Sequence, residues 1–188
     1  MAKLSDRTAL WTWHDSTFCG LKMLQYWADL CVWERFLNQH EIVGIVELGT
    51  GQGGMSLFLL LQAQARGAMF WTFDKTAKGW TQNVLAQQLR LADHFVQGDI
   101  FEDQQAYVKA LCAKHGTHPL LLYCDGGDKA RELQTFAPLL QEGAYIAVHD
   151  WNTEIRPADV EPVADILEPV FAEECQSMSS LTRFWRRR

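Results

Sequence analysis

At residues 42–54 the chain reads Ile42-Val-Gly-Ile-Val-Glu-Leu-Gly-Thr-Gly-Gln-Gly-Gly54. A continuous apolar run leads into a glycine-rich loop, and an apolar helical pattern follows directly over residues 54–65. Apolar runs without alternation are typical of strands covered on both faces, as in parallel sheets. Glycines let the backbone turn sharply and approach a ligand closely at the start of a helix. This stretch therefore predicts a βα unit with a ligand site at its turn.

The same unit recurs along the chain, and each strand pattern ends in an acid. Strand patterns cover residues 42–47, 68–74, 94–99, 120–125 and 144–150, and helical patterns cover residues 54–65, 76–91, 102–115 and 128–141. The acids that close the five runs are Glu47, Asp74, Asp99, Asp125 and Asp150. Parallel strands need helical crossovers, and open α/β sheets bind ligands at the carboxyl edge of their strands. The sequence therefore predicts a Rossmann-like α/β fold with five carboxylates gathered at one edge.

Two segments flank this repeated pattern. Residues 1–39 predict an N-terminal helical cap with a helix over residues 16–39, and residues 40–188 predict the ligand-binding domain. Near the C-terminus, residues 160–171 are typical of a helix. Residues 181–187 predict a final strand, whose antiparallel partner we expect near residues 171–176. Within the cap, Trp11, Trp13 and His14 are expected to cover the core or to contact an acceptor.

The composition limits the function classes. The chain has 188 residues, a formal net charge of −6 and five cysteines without metal-finger spacing. No nucleic-acid partner is expected, because the charge gives no overall basic field. No membrane span is expected either, since no apolar run approaches about 18 residues. The N-terminus shows no signal-peptide pattern, so we expect a cytoplasmic protein with reduced thiols. The oligomeric state is not specified, although the tryptophan-rich cap is compatible with a homo-oligomer.

The glycine-rich loop fits two cofactor motifs. Its glycines match the G-x-G-x-x-G pattern of dinucleotide binding, with Asp74 at the end of the second strand, which would indicate an NAD-dependent oxidoreductase. Glu47-x-Gly49-x-Gly51-x-Gly53 matches instead the acidic-x-Gly-x-Gly-x-Gly loop of class I S-adenosylmethionine (SAM) methyltransferases. A carboxylate at Glu47 would repel a pyrophosphate, whereas it suits a cofactor with an ammonium and a sulfonium group. We therefore favour SAM. The alternatives are NAD-dependent oxidation and a non-catalytic SAM-binding protein.

A second segment of the sequence indicates one subgroup of these methyltransferases. Residues 20–34 read GLKMLQYWADLCVWE and contain Gly20, Gln25, Asp29 and Glu34 ahead of the Glu47 loop. This pattern resembles the cephalosporin hydroxylase-like methyltransferases, a group that includes rhamnosyl O-methyltransferases. The resemblance implies a seven-stranded, mostly parallel sheet with helices on both faces and a terminal antiparallel hairpin. It also implies SAM-dependent O-methylation of a small hydroxylated acceptor, such as a sugar or a natural product.

The resemblance assigns a cofactor role to the loop and to three later acids. Asp74 would accept the ribose hydroxyls of SAM, and Asp99 would meet the adenine amino group. The full set of cofactor-binding residues implied in this way is Glu47, Gly49, Thr50, Gly51, Gly53, Gly54, Asp74, Asp99 and Asp125.

The resemblance also implies a divalent metal, Mg²⁺, held by Asp125 and Asp150. Such an ion would lower the pKa of the acceptor hydroxyl. His149, which stands where the family carries a second acid, completes the catalytic set with these two acids, as the base or as a third ligand. The family also carries Asp-x-x-His after the fourth strand. This chain has Asp128 at that histidine position, and Lys129 is a further candidate base.

Overall fold

The computed structural model describes residues 16–114 and 119–188. Trp11, Trp13 and His14 lie outside these ranges, so the expectations for them stay predictions. Among the described residues, no helix is long and apolar enough to cross a membrane. The elements follow in the order β1 (Thr17–Phe18), β2 (Leu21–Lys22), α1 (Trp27–Gln39), β3 (Gly44–Leu48), α2 (Gly54–Arg66), β4 (Met69–Asp74), α3 (Val84–Gln88), β5 (Phe95–Gln97), α4 (Gln105–Lys114), β6 (Leu120–Cys124), α5 (Lys129–Phe136), β7 (Tyr145–Val148), α6 (Pro157–Val160), β8 (Leu167–Val170), α7 (Ala172–Ser177) and β9 (Arg183–Arg187).

Seven strands form one sheet in the order β5-β4-β3-β6-β7-β9-β8. Strands β3 to β7 pair in parallel, whereas β9 is antiparallel to both β7 and β8. The predicted fold class is therefore confirmed: a seven-stranded, mostly parallel Rossmann-like sheet with a terminal antiparallel hairpin. Strand β3 is buried along its whole length between β4 and β6, as its unbroken apolar run predicts.

Helices cover both faces of this sheet. Because side chains alternate along a strand, Ile45 of β3 packs into one apolar cluster and Val46 packs into the other. The first cluster contains Trp33 of α1 and Leu57 of α2. The second contains Val108 of α4 and a group from α5. Because strands β3 to β7 run in parallel, their carboxyl ends share one edge of this covered sheet.

The predicted helix over residues 16–39 is wrong in its first part. The described chain begins with the two-stranded antiparallel hairpin β1–β2, and α1 starts only at Trp27. Cys19 and Gly20 turn the hairpin with φ values of 50° and 81°, which a right-handed helix does not accommodate. The hairpin lies against α2, where the rings of Phe18 and Phe58 meet edge-on at 5.6 Å.

Two other predicted helices are shorter than the apolar pattern indicates. Residues 76–91 contain a 3₁₀ turn over Gly79–Gln82 and then the short α3. Asn83 starts that new helix, since its side chain accepts a hydrogen bond from the backbone N–H of Ala86 at 3.0 Å. Helix α5 ends at Phe136 rather than residue 141, because Pro138 lies in the 3₁₀ turn that follows.

The C-terminal elements also differ from the prediction. The helix expected over residues 160–171 is wrong, because α6 ends at Val160 and the same segment contains strand β8. The hairpin partner of β9 is β8 rather than residues 171–176, most of which form α7. Pro169 is tolerated in β8 since this strand lies at the edge of the sheet, where one side of its backbone pairs with no other described strand.

Candidate functional site

A cavity of about 720 Å³ opens at the carboxyl edge of the parallel strands, within the size range of small-molecule sites. Residues 22–25, which follow the hairpin turn, form part of its wall. Among the predicted site residues, those that line the cavity are Gly49, Thr50, Gly51, Gly53, Gly54, Asp74, Asp99, Asp125 and Asp150. The described residues that line it do not include Glu47 or His149. The topology thus brings four of the five strand-end acids to one space.

Glu47 lies beneath the glycine-rich loop rather than in the cavity. Its side chain is buried, and Oε2 accepts hydrogen bonds from Ser56 Oγ at 2.5 Å and Thr72 Oγ1 at 2.6 Å. Thr50 Oγ1 continues this network, 2.6 Å from Thr72 Oγ1. Burial raises the pKa of Glu47 to about 8, against the opposing effect of the two hydroxyl donors. With this pKa the carboxyl is mostly neutral at pH 7 and supports the loop from below, so its predicted attraction for a charged cofactor stays a prediction.

The loop borders open space at Gly51. This residue has a φ of 54°, and a Cβ there would meet no atom of the described residues within 4 Å. Its N–H donates to Asp74 Oδ2 at 2.8 Å, which ties the loop to the end of β4. Gly54 is constrained by close packing instead, because a Cβ would lie 2.6 Å from the carbonyl oxygen of Lys22. The loop is thus held between β4 and the hairpin, with room for a ligand beside Gly51.

Asp74 and Asp99 both line the cavity but differ in their partners. The Oδ2 atom of Asp74, which accepts the bond from the loop, lies 4.0 Å from Lys78 Nζ, and Oδ1 accepts a long contact from the N–H of Thr76 at 3.3 Å, so Oδ1 keeps acceptor capacity for ligand hydroxyls. Asp99 Oδ2 lies 2.7 Å from Lys75 Nζ, and Oδ1 accepts from the N–H of Phe101 at 2.8 Å. The Lys75 ammonium lowers the pKa of Asp99. An adenine amino group would therefore bind Asp99 beside an existing ion pair.

Asp125 is held from the side of the hairpin. Gln25 Nε2 donates to Asp125 Oδ2 at 2.5 Å, and Gln25 is itself only 2% exposed while lining the cavity. The N–H of Asp125 donates to the carbonyl of Leu48 at 2.9 Å, which extends the pairing of β3 and β6. Gln25 belongs to the segment over residues 20–34 that resembles the family, but no pattern in the sequence assigned it a role in the site. Since Oδ2 is occupied, Oδ1 is the Asp125 oxygen that faces the rest of the cluster.

His149 and Asp150 meet Asp125 at the end of β7. His149 Nδ1 lies 3.3 Å from Asp125 Oδ1 and 3.3 Å from Asp150 Oδ1. One ligand atom from each of the three residues lies within 4.8 Å of the others. His149 is 1% exposed, so a molecule in the cavity reaches the two carboxylates but not the imidazole. His149 is therefore poorly placed to take a proton directly from an acceptor.

Asp29 of α1 stands on the opposite side of His149. Its Oδ2 lies 3.6 Å from His149 Nε2 and accepts from the N–H of Tyr26 at 2.9 Å. Its Oδ1 accepts from Ser180 Oγ and from the N–H of Leu181, which anchors the segment before β9. Burial opposes a charged imidazole, but the acids around His149, with Asp125 the largest contributor, outweigh it and hold its pKa well above the ordinary value.

Lys129 closes the cavity side of this cluster. Its Nζ lies 3.0 Å from Asp150 Oδ2, 2.7 Å from Glu154 Oε2 and 3.9 Å from Asp125 Oδ1. Burial alone would lower the pKa of Lys129, but these acids raise it above its usual range. A raised pKa keeps the ammonium charged, which does not favour Lys129 as the base. The presence of Asp128 at the position of the family's histidine also has a structural explanation. Its carboxylate caps α5 by accepting a hydrogen bond from the N–H of Arg131 at 3.1 Å.

Glu132 is a cavity residue that the sequence reasoning missed. It is 1% exposed, and its Oε2 accepts from the N–H of Gly126 at 3.2 Å. Burial raises the pKa of Glu132 to about 7. A Cβ on Gly126 would lie 2.1 Å from Glu132 Oε1, so the glycine is needed for this approach. The only sequence signal is an acid in the first turn of α5, directly after the strand-end glycines.

Several solved structures are similar to this chain. A structure of CmcI with Mg and SAM shares 18% identity at a TM-score of 0.64, over 92% of this chain and 77% of CmcI. Apo CmcI shares 18% identity at a TM-score of 0.65, over 92% of this chain and 76% of CmcI. The O-methyltransferase TomG from Streptomyces achromogenes, in complex with SAM, shares 14% identity at a TM-score of 0.49, over 85% of this chain and 79% of TomG.

The fold is that of the Rossmann-like methyltransferases. The likeness to CmcI spans nearly the whole chain, so the predicted resemblance to the cephalosporin hydroxylase-like proteins is confirmed at the level of the fold. At the level of sequence, no protein-family model matches the chain and no curated protein is significantly similar to it. The assignment of an activity therefore depends on the chemistry of the site.

Proposed function

We propose that this protein is a SAM-dependent methyltransferase that methylates a hydroxyl group of a small acceptor, such as a sugar or a natural product. The observation that carries the proposal is one cavity in which the glycine-rich loop and Asp74 are continuous with Asp125 and Asp150. The cofactor half and the reacting half of a transferase would thus share one space. The five unpaired cysteines support a reducing compartment such as the cytoplasm.

The sheet topology favours SAM over NAD. Dinucleotide-binding folds of the doubly wound type are built from two parallel halves. Here β9 enters between β7 and β8 and is antiparallel to both. The fold of this chain, which includes that antiparallel strand, is similar to the fold of CmcI, a protein whose structure was solved with SAM. These features support a methyltransferase and not an oxidoreductase.

In the proposed reaction the acceptor oxygen forms a bond to the methyl carbon as the carbon–sulfur bond breaks. The electron pair of that bond stays on sulfur, and the hydroxyl proton passes to a base. Gly51 and Asp74 bind the cofactor, and the cavity places the acceptor in line with the methyl group. Asp125 and Asp150 are the members of the predicted catalytic set that face the cavity, so we assign proton acceptance to one of them. His149 positions both carboxylates from behind.

A divalent metal is part of this proposal, and the donor set fits one. Asp125 Oδ1, Asp150 Oδ1 and His149 Nδ1 would hold it. When bound, the ion supplies Lewis-acid chemistry that lowers the pKa of a hydroxyl at this edge. Acidification of the hydroxyl assists proton acceptance, because an Asp150 carboxylate held 3.0 Å from the Lys129 ammonium is a weak base.

Calorimetric titration with SAM, S-adenosylhomocysteine and NAD tests the cofactor. We expect binding of the two adenosyl ligands, on the order of micromolar, and none of NAD. Asp74→Ala should weaken S-adenosylhomocysteine binding by about tenfold or more, because a charged hydrogen-bond acceptor is lost. The matched control is Asp93→Ala, which removes an exposed acid paired with Arg90.

Turnover is then measured as S-adenosylhomocysteine released with a panel of hydroxylated acceptors. Methylation of one acceptor class supports the proposal. Binding of NAD with hydride transfer would support the oxidoreductase instead. Tight adenosyl binding without turnover across the panel would favour a non-catalytic SAM-binding protein.

A further inference from the structure

We infer that Asp125, His149 and Asp150 form a site for a first-row transition-metal dication that accepts imidazole, such as Mn²⁺, Co²⁺ or Zn²⁺, rather than for Mg²⁺. The inference rests on the proposed function only for what the ion would do to an acceptor. The binding preference itself follows from the side chains of this chain.

The three donor atoms form a compact set. His149 Nδ1 is equally distant, at 3.3 Å, from Asp125 Oδ1 and Asp150 Oδ1. Neighbouring ligands of an octahedral ion, each about 2.1 Å from it, stand about 3.0 Å apart, so the observed spacing is close to that of a chelate. Within the described part of the chain, Nδ1 meets hydrogen-bond geometry with neither oxygen.

The two carboxylates are oriented so that their Oδ1 atoms converge. The Oδ2 atom of Asp125 accepts from Gln25 Nε2 at 2.5 Å. The Oδ2 atom of Asp150 lies 3.0 Å from Lys129 Nζ. Each carboxylate is therefore held at its far oxygen by another side chain, and its free oxygen points to His149. This arrangement is more specific than a chance cluster of acids.

Asp29 orients the imidazole from behind. Its buried Oδ2 lies 3.6 Å from His149 Nε2, so its charge favours a proton on Nε2, and a metal ion would take the place of a proton on Nδ1, where the two Oδ1 atoms converge. A metal-binding histidine commonly presents its other ring N–H to a carboxylate in this way. A lone pair that faces two anionic oxygens is repulsive unless a cation stands among them. A metal ion or a second imidazole proton are the two cations that satisfy this geometry.

The donor set and Lys129 together select the type of metal. Mg²⁺ prefers oxygen ligands and keeps several waters, whereas Mn²⁺, Co²⁺ and Zn²⁺ accept a nitrogen ligand readily. The Lys129 ammonium, 3.9 Å from Asp125 Oδ1, opposes any dication that is held by charge alone. An ion that also bonds to the imidazole nitrogen is better able to bind against this repulsion.

The test uses the full chain, treated with a chelator and free of SAM. Co²⁺ is titrated by its visible absorption, Mn²⁺ by electron paramagnetic resonance and Mg²⁺ by calorimetry. We expect one site that binds Co²⁺ and Mn²⁺ at least about tenfold more tightly than Mg²⁺, with a Co²⁺ spectrum that indicates nitrogen ligation. Tighter binding of Mg²⁺, or no specific metal binding, would overturn the inference and leave a doubly protonated His149 as the cation of the cluster.

Two variants test whether His149 and Asp150 are ligands of the bound metal. His149→Glu supplies an all-oxygen donor set and should weaken Co²⁺ binding by about tenfold or more while Mg²⁺ binding persists. His94→Gln is the matched control, since His94 lies away from the cluster and contacts the carbonyl and the ring of Phe70. Because His149 is buried, Asp150→Asn at the cavity wall provides a second variant. It should lose affinity for both transition metals, and unchanged affinity in that variant would contradict the assignment.

Calorimetry with S-adenosylhomocysteine on the same preparation separates the two proposals. Adenosyl binding without metal binding would overturn the metal inference and leave the proposed function standing. Metal binding with the expected preference, but without adenosyl binding, would overturn the proposed function and leave the metal inference standing.

Discussion

The variant Glu47→Gln tests whether Glu47 supports the loop as a neutral buried side chain or attracts the cofactor as a negative charge. The folded carboxyl has a pKa of about 8 because of burial, whereas that of an unfolded glutamate is about 4.3. Between these values the folded chain keeps a proton that the unfolded chain has released. The free energy of unfolding of the wild type should therefore fall as the pH rises through this window. The expected slope is about 1.4 kcal/mol per pH unit for one group.

Glutamine cannot titrate, so the variant lacks this component. From pH 5.5 to pH 7.5 the stability of Glu47→Gln relative to the wild type should rise by about 2–3 kcal/mol. All other titrating groups are shared and cancel in the difference. Urea denaturation at several pH values, followed by tryptophan fluorescence, measures it. Glu102→Gln, at an exposed position of the chain, is the control for removing one carboxyl group.

The reasoning would be refuted by a stability difference that stays constant across the pH range. It also predicts that Glu47→Gln changes the affinity for S-adenosylhomocysteine by less than about threefold at pH 7, because one neutral side chain replaces another (about 0.6 kcal/mol at most). A much larger loss would mean that a charged Glu47 acts on the ligand.

Two further predictions concern the anchor and the loop. Asp29→Ala should lower the free energy of unfolding by about 3–5 kcal/mol in urea denaturation, because the donors of Ser180 and Leu181 lose their buried charged partner; a loss below 1 kcal/mol would contradict this role. Gly51→Val should reduce S-adenosylhomocysteine affinity by at least about tenfold in calorimetry, because the branched side chain enters the open space beside the loop and is strained at a φ of 54°. Unchanged affinity in a folded variant would place the cofactor elsewhere.

The parallel core could be predicted from the sequence because its signal is local. Strands β6 and β7 are unbroken apolar runs, and β3 and β4 are mostly apolar, as expected for strands that helices cover on both faces. The hairpin β1–β2 could not be predicted in this way. Its strands have two residues each, and the turn depends on positive φ values at Cys19 and Gly20, while the neighbouring apolar spacing resembles that of α1. Strand β8 was missed for a similar reason, since Pro169 and a short apolar run do not indicate a strand.

The position of the site could also be predicted, because parallel strands bring their carboxyl ends together. What could not be predicted is which groups pair across the edge. Gln25 and Asp125 are 100 residues apart in sequence, and Asp29 reaches Ser180 across 151 residues. Neither contact follows from a local pattern. Lys129 is four residues from Asp125, which could be predicted to meet it, but its ion pairs with Glu154 and Asp150 come from another loop.

Depth beneath the cavity decides what each acid can do. Glu47 is fully enclosed with hydroxyl donors only, so desolvation prevails and its carboxyl is mostly neutral at pH 7. Asp29 is equally buried but has backbone N–H donors and His149, and its pKa is lowered although burial opposes this. Asp150 lines the cavity between Lys129 and His149, and these two groups lower the pKa of its carboxyl although burial opposes this. Acidic side chains around this edge of the sheet therefore support a loop, anchor a segment or line the cavity, according to the donors that surround them.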